Sequence, residues 1–186
     1  MTRIAVSAVG RDRPGIVAGV TGVLLEHGLN LADSQMGILS GRFSMTLLVE
    51  EGRNGALNED ELLHDLLAVA NDLGLDAIFA TPVPAEEDGR DPMGSEGLLM
   101  VSVYGADHPG IVHAVALALS DLKVNIVDLD TRLAAGQDGG PPLYAMFLEV
   151  VLPDGLAERE LAEALRRIGA EQRVEISVRA LDQDVL

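Results

Sequence analysis

Gly10-Arg11-Asp12-Arg13-Pro14-Gly15-Ile16-Val17 returns as Gly105-Ala106-Asp107-His108-Pro109-Gly110-Ile111-Val112, at a fixed offset of 95 residues. The match extends outward in the same register. Val6-Ser7 recurs as Val101-Ser102, Val20 and Leu24 as Val115 and Leu119, and Asn30 and Asp33 as Asn125 and Asp128. So many identities in one register mark an internal duplication, and each half is then a structural unit. Further on the offset grows to 101: Phe43, Met45, Leu47 and Val49 align with Tyr144, Met146, Leu148 and Val150. The second half therefore carries a six-residue insertion within Ala134–Pro142, whose Gly and Pro content reads as a loop.

The element order follows from the same stretch. Residues 3–9 are small and apolar and predict a strand, as do 98–104. Pro14 has a fixed φ and no N–H, which suits the first turn of a helix over about 14–27. Ile16, Val20 and Leu24 recur every four residues and give that helix one apolar stripe. Gly28 stops it. Residues 29–39 read as a second strand. After a short turn, Phe43, Met45, Leu47 and Val49 alternate with polar residues as a half-buried third strand, so the two form a hairpin. Leu62, Leu63, Leu66 and Ala70 predict a helix over 58–73, and residues 76–83 a fourth strand. In the second half the closing helix falls near 156–168 and the last strand near 173–181. The order is βαββαβ twice: an α+β chain in which each four-stranded antiparallel sheet carries two helices on one face. The other face is less polar than a fully wet surface, so it is expected to pack on something. Residues 1–83 form the first domain and 98–186 the second. Residues 84–97, rich in Pro, Gly and acids, form a linker between them.

Composition removes several classes of function. The 186 residues are 48% hydrophobic but only 3% aromatic, so the core is aliphatic. With no cysteine, disulfides, thiolate metal sites and Cys nucleophiles are excluded. The net charge is −17 and Lys123 is the one lysine, which opposes direct binding to nucleic acid or to an anionic membrane. No leader or spanning stretch is visible, and a cytoplasmic location is expected.

The repeated turn points to a ligand. A helix N-terminus offers unpaired N–H groups and a partial positive charge, which favour a carboxylate. Gly15 allows close approach to the backbone. Asp12 can receive an ammonium group, and the Asn30 amide can donate and accept. A zwitterionic amino acid fits that set. Each residue also has a plainer reading: Asp12 and Asp107 as N-caps, Asn30 as satisfying the start of its strand, the glycines as backbone devices. It is the joint repetition of Asp, Pro-Gly and Asn at one spacing that favours a site.

Asp-Arg-Pro-Gly-Ile-Val and Asp-His-Pro-Gly-Ile-Val, each followed by Asn-Leu or Asn-Ile, resemble the ACT domain. The whole chain resembles tandem ACT proteins of the glycine cleavage system transcriptional repressor type. That resemblance implies a ferredoxin-like fold and amino-acid binding at interfaces between ACT units, through the strand-one turn and the start of strand two. Carried over, it implicates Asp12, Arg13, Pro14, Gly15, Ile16, Val17 and Asn30. In the second half it implicates Asp107, His108, Pro109, Gly110, Ile111, Val112 and Asn125, with Asp33 and Asp128 further along the strand.

No catalytic or metal-binding constellation stands out. His27, His64, His108 and His113 form no metal-ligand spacing, and the Gly-rich turn lacks the features of a dinucleotide or phosphate loop. His27 suits a helix C-terminus and His64 a solvated face; His108 and His113 flank the second turn as candidates for ligand contact or pH sensing. The expectation is a protein that is not an enzyme and needs no cofactor or metal. It senses a small amino acid such as glycine or serine, acts through a protein partner such as a transcription regulator, and forms a homodimer. A free-standing allosteric subunit of an amino-acid enzyme has the same sequence features.

Overall fold

The computed structural model describes residues 3–52, 58–84, 98–134 and 142–181. The chain separates into two compact units, Met1–Gly89 and Arg90–Leu186. The first runs β1 (Arg3–Arg11), α1 (Ile16–Glu26), β2 (Leu29–Leu39), β3 (Arg42–Glu51), α2 (Glu59–Leu73) and β4 (Leu75–Val83). The second runs β5 (Leu98–Ala106), α3 (Ile111–Asp121), β6 (Asn125–Ala134), β7 (Leu143–Val151), α4 (Glu158–Gln172) and β8 (Val174–Ala180). Each sheet is four-stranded and antiparallel, in the order β2-β3-β1-β4 and β6-β7-β5-β8. This is the α+β, twice βαββαβ arrangement read from the sequence. The linker of residues 84–97, from residue 85 on, and most of the insertion, residues 135–141, lie outside the described residues.

Alternation sets which face is covered. Ile4, Val6 and Ala8 of β1 and Phe43, Met45, Leu47 and Val49 of β3 are buried. They share one core with Ile16, Val20 and Leu24 of α1 and Leu62, Leu66 and Ala70 of α2. Both helices therefore lie on one face. The second unit repeats the pattern with Val101, Val103, Met146, Leu148, Ile111, Val115, Leu119, Leu161 and Leu165. On the opposite face, Gln35, Thr46, Ser7 and Phe79 form one row across the first sheet. On the corresponding face of the second sheet, Tyr104 packs edge-to-face on Phe147, ring centroids 5.7 Å apart.

Two helix boundaries differ from the sequence reading, each for a local reason. Helix α1 begins at Ile16, not near 14, because Gly15 sits at φ 97° as its N-cap; Pro14 belongs to the turn. Helix α4 continues past 168 to Gln172. Gly169 does not end it: a Cβ there would lie 2.8 Å from the Val174 carbonyl, so glycine is needed for close approach to β8. The helix ends instead at Arg173, in the left-handed region at φ 56°.

Candidate functional site

The repeated turn is held by backbone bonds at the end of each sheet. The Asp12 N–H donates to the Gly41 carbonyl over 3.0 Å, tying the β1–α1 turn to the β2–β3 hairpin. Asp107 N–H donates to the Pro142 carbonyl over 3.3 Å in the second unit. Asp12, Arg13, Pro14 and Gly15 are exposed, as are Asp107, Pro109 and Gly110. Ile16 and Ile111 are buried and anchor the turns in their cores, while Val17 and Val112 are about two-fifths exposed.

The helices that follow are uncapped. Gly15 and Gly110 are the N-caps of α1 and α3, at φ 97° and 103°, and no side chain accepts from either first turn. Asp12 and Asp107 thus do not cap, which removes the plainer reading of these carboxylates. Helix α2 shows the contrast: Asn58 accepts from Glu61 N–H over 3.3 Å, and three acids occupy its first turn. Neither α1 nor α3 has an acid in its first turn. Their free N–H groups and positive dipole ends stay available to an anion.

Arg13 and His108 do related work at the same position. Arg13 lies against Gly74, the residue that ends α2; a Cβ there would come within 3.0 Å of its Nη1. His108 Nε2 donates to the Gln172 carbonyl over 2.7 Å, and Nδ1 to the Pro109 carbonyl over 3.1 Å. A basic side chain thus meets the C-terminus of the second helix in each unit, where positive charge complements the dipole. Both imidazole nitrogens face acceptors, and only the imidazolium can donate from both. The Gln172 carbonyl, then that of Pro109, raise the His108 pKa above its ordinary value; Asp107 adds to this and Arg173 opposes it. His113 is exposed on α3. His27 is the C-cap of α1 and its Nε2 lies 2.8 Å from Asp65 Oδ2 on α2. The position of His27 at a helix end is legible in the sequence; its partner, 38 residues further on, is not.

Asn30 and Asp33 are gathered onto one face by a bulge. Leu31 pairs with Val49 and Asp33 with Leu48, leaving Ala32 as an extra residue. Residues three apart on a regular strand point to opposite faces; the bulge restores them to the same, helix-free face. Asn125 and Asp128 are gathered likewise, with Val127 the extra residue. Asn30 and Asn125 make no side-chain hydrogen bond among the described residues. Asp33 accepts from the Ser34 N–H over 2.7 Å and borders a hollow of about 160 Å³ with Ser34, Gln35, Thr46 and Leu48.

The turn and the asparagine are not brought together within a unit. Both β1 and β2 run antiparallel to β3, so they point the same way. Asn30 is level with Arg3 across Glu50, while the turn follows Arg11. Eight residues of strand separate the two levels, about 26 Å. One extended residue covers about 3.5 Å, so no single small amino acid touches both groups of one unit.

A larger hollow, about 800 Å³, lies on the helical layer of the second unit among Leu122, Leu156, Glu160, Glu163, Ala164 and Arg167. At the positions aligned with the His27–Asp65 bridge of the first unit, it is lined by Leu122 and Ala164. None of the turn residues borders it, its rim mixes both charge signs, and it sits at the far end of α3 from the uncapped N-terminus. Size alone does not make it the site.

The sequence profile of the ACT domain matches residues 2–80. A UPF0237 protein of Methanopyrus kandleri is 38% identical over 78 residues, which are 42% of this chain and 86% of that relative. The chain belongs to the ACT-domain family. Among solved structures, a protein of unknown function from Galdieria sulphuraria is 27% identical, with a TM-score of 0.78 over 97% of this ACT-domain chain and 99% of its own. A candidate glycine cleavage system transcriptional repressor is 16% identical, with a TM-score of 0.71 over 98% of each chain; that likeness is one of fold. Among the described residues of this ACT protein, no helix is long and apolar enough to cross a membrane.

Proposed function

We propose that this ACT protein is a non-enzymatic sensor of a small amino acid, acting in the cytoplasm through a protein partner. The observation that carries the reading is the pair of uncapped helix N-termini at the repeated Asp-x-Pro-Gly turns. The first-turn N–H groups take the ligand carboxylate. Asp12 or Asp107, not consumed as a cap, takes its ammonium group. Asn30 or Asn125 closes the site from the same unit of a second chain, because the sheet holds it about 26 Å from the turn of its own.

Strand β2 makes that closure feasible. It is a sheet edge, 11 residues long, with Asn30 to Leu39 exposed. Such an edge presents unpaired backbone groups. Antiparallel pairing with the same strand of a second chain sets the start of one β2 beside the end of the other, level with its β1–α1 turn. The protein is then a homodimer whose ligand sits across the twofold contact, and binding favours the paired arrangement. The partner that reads the paired state is a regulator of transcription in amino-acid or one-carbon metabolism. The fold shared with the candidate glycine cleavage repressor supports that choice.

A thermal-shift screen of the twenty amino acids tests the reading, with Asn30→Ala and Asn125→Ala alongside. A ligand at 100 times its dissociation constant adds about 2.7 kcal/mol, a rise of roughly 5–10 °C for a chain of this size. A selective rise that disappears in one of the two variants is expected, and the variant that loses it names the unit that binds. No rise with any amino acid would sink the sensor reading.

A further inference from the structure

The two turns are not equivalent, and the difference lies beneath them. Tyr144 is the second residue of β7, stands opposite Gly105 of β5 and is 8% exposed. Its hydroxyl is buried and has no hydrogen-bond partner among the described residues. The aligned residue of the first unit is Phe43, opposite Gly10 and equally part of its core. A ring without a hydroxyl therefore packs well at this position. Burying the Tyr144 hydroxyl unpaired is unfavourable. Its place in the second unit needs a partner from outside.

The surroundings say what that partner is. Tyr144 pairs with Gly105, two residues before Asp107, whose N–H is tied to the Pro142 carbonyl, and it shares a core with Ile111, the first residue of α3, so it lies beside the β5–α3 turn. Burial, and then the negative charge of Asp107, raise the pKa of its phenol. The α3 N-terminus that follows the turn is uncapped, and His108 fastens the turn to the end of α4. A second carboxylate brought to this hydroxyl would be repelled by Asp107. A neutral oxygen on a short side chain would not.

Resting on the amino-acid reading above, we propose that Tyr144 is the specificity-determining residue of the second unit. Its hydroxyl hydrogen-bonds the side-chain hydroxyl of a small hydroxy amino acid, a preference the first unit, with Phe43, lacks. The two halves of the chain then report on different ligands: the first on glycine or a small apolar amino acid, the second on a hydroxylated one.

The experiment is calorimetric titration of the full chain with L-serine and with L-alanine, which differ by the hydroxyl alone, on wild type, Tyr144→Phe and Phe43→Tyr. Wild type is expected to hold serine about tenfold more tightly than alanine at one class of sites, the discrimination one neutral hydrogen bond supplies. Tyr144→Phe should bind both amino acids alike, and Phe43→Tyr should gain a second serine-preferring site. Without ligand, Tyr144→Phe should melt at the wild-type temperature or above it. A drop of several degrees would show that the hydroxyl has an internal partner and overturn the proposal. So would a serine preference that survives in Tyr144→Phe, or equal binding of the two amino acids by wild type; either leaves the sensor reading standing. If wild type binds neither amino acid, both fall together.

Discussion

If the turn of one chain and the asparagine of another form one site, two broken variants will repair each other. Asp12→Ala removes the ammonium receptor from the turn, and Asn30→Ala removes the closing amide. Losing a hydrogen bond to a charged group costs about 1.5–3 kcal/mol, roughly ten- to more than a hundredfold in affinity. Each pure variant should then be silent at first-unit sites under ligand concentrations that saturate wild type. The structure fixes what a mixture does. Asp12 and Asn30 of one unit lie about 26 Å apart along the sheet, so every intact site needs both chains. In a heterodimer one twofold-related site collects both lesions and the other collects neither. Random exchange of equal amounts makes about half the dimers mixed, so about a quarter of the wild-type sites return. Unfolding and refolding the two variants together, with Asn125→Ala in both to silence the second unit, provides the assay. Calorimetric stoichiometry of the first unit gives the count. Recovery near a quarter is expected. A mixture as silent as its components would refute the two-chain geometry, and undiminished binding by either pure variant would remove that residue from the site.

Two other perturbations test the turn itself. A Cβ on Gly15 would meet no atom within 4 Å, so Gly15→Ala should cost only its backbone conformation at φ 97°, about 1–2 kcal/mol. Chemical denaturation reads this directly, and a loss under 0.5 kcal/mol would show that the turn relaxes instead of holding α1 in place. The second concerns His108, whose pKa the Gln172 and Pro109 carbonyls raise in the folded state. Its stabilising contribution is complete below the unfolded value near 6.5 and fades as the pH rises through the higher folded value. The stability difference between wild type and His108→Arg, which copies the cation of the first unit, should therefore grow in favour of the variant above neutral pH. An NMR titration of the His108 ring with a midpoint below 6.5 would contradict the two-acceptor geometry.

Much of this protein was decided by the sequence alone. Local forces are periodic, and the chain carries each period twice: alternation at Phe43, Met45, Leu47 and Val49, and a four-residue stripe at Ile16, Val20 and Leu24. Those patterns specify strands and helices through burial of one face, and the offset of 95 made each assignment serve twice. The candidate turn was legible for the same reason, since a helix N-terminus is built from neighbours in sequence.

The tertiary structure decided what depends on direction and pairing. Placing β3 between β1 and β2 makes those strands parallel, and so sends Asn30 to the opposite end of the sheet from Asp12. Spacing cannot reveal that, because either strand direction leaves the sequence pattern unchanged. The bulge at Ala32 is one residue of register, visible only against a partner strand. Gly15 reads from sequence as a tolerant residue; only its φ shows that it caps α1 and frees Asp12 from doing so. The exchange of Phe43 for Tyr144 looks conservative in the repeat. It becomes chemical once the fold buries the hydroxyl, where water no longer satisfies it and the low dielectric makes an unpaired polar group costly.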